Sequence, residues 1–193
     1  MISLTSLLLG ASTLAHAQVA ELFSAEALPS LKRSQGYVLI GIDSGDTESF
    51  LTAKRLESKG RELRLERGQP VETKAGFRLD LADRPKGFYF LVLRTGVYQI
   101  TEVSYPYFNL PFRLDTTTRP EWRFFVEPGK VNYVGRLIVS RDRSENSVDV
   151  NLINRFAADY EDVTTAYASL FQQFPLASGI GIRDDFAELV AAP

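Results

Sequence analysis

Apolar positions fall into three regimes along the chain: a continuous run at the start, a long alternating middle, and a closing stretch at helical spacing. Alternation over four to eight residues marks a half-buried strand, because successive side chains of an extended chain point to opposite faces. The clearest case is WRFFVEPGKVNYVGRLIV, Trp122 to Val139. Trp122, Phe124 and Val126 alternate with Arg123, Phe125 and Glu127, and Val131, Tyr133, Leu137 and Val139 follow Pro128-Gly129-Lys130. This predicts a hairpin at the middle of an antiparallel sheet. A second hairpin is expected where Phe88–Leu93 meets Val97–Tyr105 across Thr95-Gly96.

Other strands are shorter. GYVLIGI, Gly36 to Ile42, is continuously apolar and reads as a buried strand entering the turn Asp43-Ser44-Gly45-Asp46. Phe50–Leu56, Glu62–Leu65 and Phe77–Leu81 are further candidates; in the last, Phe77, Leu79 and Leu81 oppose Arg78 and Asp80. Ser147–Leu152 is the final strand. Tyr105 to Pro120, rich in Pro, Thr and aromatics, is expected to be a long loop with one short strand at most. Roughly eight to ten short strands with regular turn signals predict a mainly β domain, a sandwich or barrel. Strands do not alternate with helices, which argues against a parallel α/β sheet.

From Asn154 the period changes. Phe156, Tyr160, Val163, Tyr167, Leu170, Phe171 and Phe174 recur at helical spacing. Asn154 can cap the start, and Pro175 stops the run. One amphipathic C-terminal helix of about 20 residues, packed on the sandwich, is predicted. Asp159, Glu161 and Asp162 are expected to favour its N-terminal dipole and to solvate an outer face. The tail to Pro193 either holds a short helix around Asp184 to Val190 or frays.

The first run changes the expected compartment. Ile2 to Leu14 is uncharged and leads into Ala15-His16-Ala17, a small-x-small cleavage pattern, although no Lys or Arg precedes it. A signal peptide cleaved after Ala17 is expected, leaving Gln18 at the mature N-terminus, and the run is too short for a permanent bilayer span. The expected layout is signal peptide 1–17, lead-in 18–35, β-sandwich 36–152, helix 153–175 and tail 176–193. A chain of 193 residues can bury a core of its own. It contains no Cys, so disulfides and a lipid anchor on an N-terminal cysteine are excluded, which suits a bacterial periplasmic or secreted protein. A formal charge of -2 gives no electrostatic case for nucleic acid.

The single histidine, His16, lies in the presumed signal. A mature chain with neither His nor Cys excludes Ser-His-Asp and Cys-His nucleophile systems and the usual zinc and copper sites. No catalytic residue, cofactor or metal is therefore assigned. Asp43-Ser44-Gly45-Asp46-Thr47-Glu48 carries oxygen ligands around a glycine but lacks the EF-hand spacing, and a plain turn is the simpler reading. Ser24, Ser30 and Ser34 near Lys32 lack the S-x-x-K context of a Ser-Lys dyad. No G-x-G-x-x-G or G-x-x-x-x-G-K-[ST] pattern suggests a nucleotide loop. The aromatic group Tyr105, Tyr107, Phe108, Phe112 and Trp122 is the candidate recognition surface for a glycan or partner protein. The competing reading folds these rings back over the open end of the sandwich.

F-V-x-P-G-K-x-x-Y-V-G-R-L-x-V, Phe125 to Val139, with G-x-Y-x-I-T-x-V at Gly96 to Val103, resembles a loosely defined group of bacterial exported proteins of unknown function. The resemblance spans about Gly36 to Leu152 and rests on Pro128, Gly129, Tyr133 and Gly135. It implies an exported antiparallel β-sandwich of immunoglobulin or transthyretin type and carries over no catalytic residue. The expected function is non-enzymatic binding of an envelope partner or ligand, with the oligomeric state open. Two alternatives are a glycan hydrolase using Asp43, Asp46, Asp115 or Glu121, and a structural subunit joined through strand edges.

Overall fold

The computed structural model describes residues 18–44, 49–107, 110–142 and 147–180, without side chains for 18, 107, 110–111 and 141–142. The presumed signal peptide, Asp46, Phe108 and the tail beyond Ile180 lie outside the described residues. In chain order the strands begin with β1 (Gln18–Ala20), β2 (Gln35–Asp43) and β3 (Phe50–Leu56). Four two-residue strands follow: β4 (Ser58–Lys59), β5 (Glu62–Leu63), β6 (Leu65–Glu66) and β7 (Gln69–Pro70). Next come β8 (Glu72–Asp80), β9 (Gly87–Arg94), β10 (Gly96–Tyr107) and β11 (Leu110–Asp115). The chain continues through β12 (Arg123–Val126), β13 (Val131–Asp142) and β14 (Ser147–Ile153). Helices α1 (Phe156–Ala166) and α2 (Ala168–Gln173) precede β15 (Leu176–Ser178).

These strands make two principal sheets. The first runs β1-β8-β3-β10-β11, with β12 also on β10; the second runs β14-β13-β2-β9, with β15 also on β13. Both are mixed and open. β2 and β15 pair in parallel with β13, and β1 pairs in parallel with β8. A purely antiparallel arrangement, expected from the turn signals, is thus corrected. Short turns report which strands follow one another, whereas the parallel pairs join segments far apart in sequence.

Side chains from both sheets share one apolar cluster. Val38, Ile40 and Ile42 of β2, Leu91 and Leu93 of β9, and Val134, Leu137 and Val139 of β13 come from the second sheet. Leu51, Phe77, Leu79, Tyr98, Ile100 and Phe124 come from the first. The other face of β2 carries Tyr37 and Leu39 into a second cluster with Phe90, Val131, Tyr133 and the helix residues Phe156 and Val163. Both faces of β2 are therefore covered, which explains its unbroken apolar run.

Both expected hairpins are crossovers between sheets. β9 lies in the second sheet and β10 in the first; β12 lies in the first and β13 in the second. At the Pro128-Gly129 corner the backbone bonds go to β2 rather than across a hairpin. Gly129 N donates to Gln35 O at 2.9 Å, and Tyr37 N donates to Lys130 O at 3.0 Å. The fully buried Asn132 completes the corner, accepting from Glu127 N and donating to the carbonyls of Tyr37, Glu127 and Lys130.

The C-terminal stripe packs on the second sheet as its spacing implies, but in two helices. Asn154 Oδ1 accepts from Phe156 N at 2.9 Å at the start. At Tyr167 the backbone leaves helical geometry, with φ -121° and ψ 28°. The Tyr167 ring meets Phe90 edge-on at 5.1 Å, and Phe174 meets Tyr37 edge-on at 5.1 Å. Both rings, one at the break and one just after α2, lie against the second sheet.

Candidate functional site

The lead-in after β1 crosses from one sheet to the other. β1 pairs with β8 of the first sheet, and three residues later Phe23 exchanges backbone hydrogen bonds with Phe90 of the second. Leu22 points into the shared cluster and Phe23 joins the outer one. This crossing borders a cleft of about 740 Å³. Its walls include Phe23, Pro29, Val92 and Leu93, with Ala75 and Gly76 of β8 opposite. The volume falls in the range of roughly 300–1,000 Å³ typical of small-molecule sites.

The charged lining is mostly cationic: Lys32, Arg55 and Arg94, against the acid Glu21. Arg55 continues the inward-facing series Leu51 and Ala53 on β3 and pairs directly opposite Tyr98 of β10. Its Nη2 donates to Thr95 O at 2.7 Å, while its buried Nε has no acceptor. Tyr98 OH donates to Arg94 O at 2.9 Å. Two side chains, Arg55 and Tyr98, therefore converge on the β9–β10 crossover, Arg94-Thr95-Gly96. Gly96 makes room for this: its φ is 142°, and a Cβ there would lie 2.7 Å from Arg55 Nε. Burial pushes the Tyr98 hydroxyl above its ordinary pKa, while the Arg55 and Arg94 charges pull against it.

Sequence reasoning missed these cations. The available signal was Arg55, a charge in phase with the core-facing Leu51 and Ala53. The aromatic candidates lie elsewhere. Tyr105 and Trp122 are 5% and 4% exposed, and Phe112 packs half-buried against the same cluster. The Tyr107 side chain and Phe108 lie outside the described residues. The expected long loop is corrected as well: Tyr105 to Tyr107 end β10, and β11 pairs back with Pro106 opposite Pro111. Proline fits there because β11 is an edge strand. The buried Gln99 fastens the following turn through bonds to the carbonyls of Thr116 and Arg119.

The acids do not converge among the described residues. Asp43 pairs with Lys86 at 2.6 Å. Asp115 accepts from Thr117 N at 2.9 Å, a bond that lowers its pKa, and Glu121 is exposed in a separate 3-10 turn. Asp159 is not on a wet face: it is 2% exposed, and its Oδ2 accepts from Tyr133 OH at 2.6 Å and Arg136 Nε at 2.9 Å. Glu161 and Asp162 are exposed. Among the described residues no three His, Cys, Asp or Glu side chains are grouped to hold a metal ion, and no helix is long and apolar enough to cross a membrane.

Comparison with protein-family models, with curated proteins and with solved structures returned no match.

Proposed function

We propose that this chain is an exported, non-enzymatic β-sandwich that binds a ligand or partner of the bacterial cell envelope in the cleft beside β1. The sandwich reading is supported by the apolar cluster that the two sheets share. The observation that carries the binding reading is the cleft itself: apolar side chains beside a larger polar surface with convergent charged groups, and room for a small molecule. Hydrolysis by paired carboxylates has less support, since Glu21 is the acid among the described lining residues and such chemistry needs two facing carboxyl groups. Export is supported by the apolar run ending in Ala15-His16-Ala17 and by the resemblance at Phe125 to Val139.

The test is retention from envelope extract on the immobilised protein beside an Ala75→Trp variant, which places a large ring at an exposed position of the cleft lining. Retention of a component by the first alone, with equal melting temperatures, is the expected result. Equal retention by both, or none by either, overturns the binding reading. For export, intact mass of protein from the periplasmic or culture fraction is expected to begin at Gln18. A chain confined to the cytoplasm with residues 1–17 attached overturns it.

A further inference from the structure

We infer that the cleft is an anion site, in which Arg55, Arg94 and Lys32 hold a carboxylate or phosphate group of a small ligand whose body lies against Phe23, Pro29 and Val92. This rests on the binding reading above and adds the chemical class of the ligand. The argument starts from where the charges are. A chain of formal charge -2 gathers three cations and one acid around this cleft. Several cations elsewhere find acids: Lys54 with Glu72, Arg61 with Glu127, Arg64 with Glu57, Lys86 with Asp43, and Arg136 with Asp159. None of the ion pairs among the described residues includes Lys32, Arg55 or Arg94.

Arg55 carries the inference. Its guanidinium is half-buried on the inner side of β3, held by one carbonyl, with its Nε bonded to nothing. A partly desolvated charge without a counter-ion is costly, so an anion from solution gains more here than at an exposed arginine. Guanidinium forks match carboxylate and phosphate oxygens, and Arg94 and Lys32, both exposed, add charge at the rim. Gly96 keeps the backbone clear of the Arg55 head group. The apolar wall then receives the uncharged part of the ligand.

The experiment is nitrogen–proton NMR of the purified protein titrated with four probes. These are inorganic phosphate, a uronic-acid disaccharide, its neutral disaccharide analogue, and vesicles carrying an anionic phospholipid. Saturable shifts of the Thr95 and Gly96 amides and the Arg55 Nε–H with a charged probe, absent with the neutral one, are expected. The charged probe that binds most tightly identifies the source of the anion. Affinity is expected to fall about tenfold in Arg55→Gln and in Arg94→Gln, and to fall as salt is raised. Arg94→Gln and Lys32→Gln change exposed side chains, so one of them reports even if Arg55→Gln does not fold. Equal binding of the neutral and acidic disaccharides overturns the anion assignment and leaves the cleft a binding site. Unchanged affinity in the variants also overturns it, as does silence with every probe. In the last case the extract experiment decides the binding reading separately.

Discussion

The Tyr133 hydroxyl donates a 2.6 Å hydrogen bond to Oδ2 of Asp159, joining the start of β13 to the first half of α1. Both residues are buried, at 0% and 2% exposure. Arg136 shares the same oxygen at 2.9 Å, and Arg155 lies 3.8 Å from Oδ1. A carboxylate withdrawn this far from water is stable because a hydroxyl and a guanidinium replace its hydration.

Asp159→Asn is therefore expected to destabilise the fold by about 2–4 kcal/mol, since it removes the charge of the buried carboxylate and leaves the partly buried Arg136 without its partner. Tyr133→Phe, which removes one hydrogen bond to a charged group, is expected to cost about 1.5–3 kcal/mol. Urea unfolding checks both. A lower midpoint with an unchanged slope is the expected signature, and a midpoint shift in Asp159→Asn no larger than in a surface variant such as Asp162→Asn would count against the clamp.

Asn132 holds the corner between β12 and β13 with four hydrogen bonds and no exposed surface. Asn132→Ala is expected to cost about 3 kcal/mol, because buried backbone groups lose their partner. Amide exchange at Glu127 is expected to quicken more than at Leu39, on the strand beyond. Equal effects at both would mean global loosening rather than a local corner.

Two glycines separate conformational strain from contact. Gly129 has φ 67°, and a Cβ there would meet nothing within 4 Å, so Gly129→Asn is expected to be nearly neutral. Gly96 has φ 142° and would set its Cβ 2.7 Å from Arg55 Nε. Gly96→Ala is expected to cost about 1–3 kcal/mol and to displace the Arg55 side chain. Thermal melts and the Arg55 Nε–H resonance read the two effects independently.

Stability is expected to fall at both ends of the pH scale. Burial raises the pKa of Tyr37, Tyr98, Tyr133 and Tyr167 above the ordinary value of 10.0, and at Tyr133 the Asp159 carboxylate adds to it. A raised folded-state pKa contributes stability that is complete below pH 10 and is lost as pH rises, because the unfolded chain ionises first. Phenolate absorbance is thus expected to appear together with unfolding, and Tyr133→Phe to weaken the alkaline loss. At Glu127, burial raises the pKa, but the bonds from Lys130 and Arg61 outweigh it and leave the pKa below 4.5. Its contribution is complete above that value and fades as pH falls through the folded-state pKa, so Glu127→Gln is expected to flatten the acid side of the profile.

Much of the strand content was legible because alternation is local. Phe77 and Leu79 face the core while Arg78 and Asp80 face water, and Val148, Val150 and Leu152 of β14 pack inward as their spacing implies. The helical stripe was legible too, since Phe156 through Phe174 all join the outer cluster. The candidate site was not. Arg55, Arg94 and Lys32 are isolated in sequence and form no motif, and only the crossing of the lead-in from β8 to β9 makes them neighbours of one cleft.

By itself, then, the sequence determined where most of the longer strands lie, which face of each is apolar, and that β2 is buried. Each follows from side-chain periodicity within a few residues. Only the tertiary structure decided the pairing. A hairpin and a crossover share the same alternation and the same Pro-Gly or Thr-Gly turn. They differ in where the backbone bonds at the corner go, and here those run to Gln35, Tyr37 and Ser34. The burial of Asp159 was decided in the same way, because a helix presents an acid to water or to a sheet according to what packs against it.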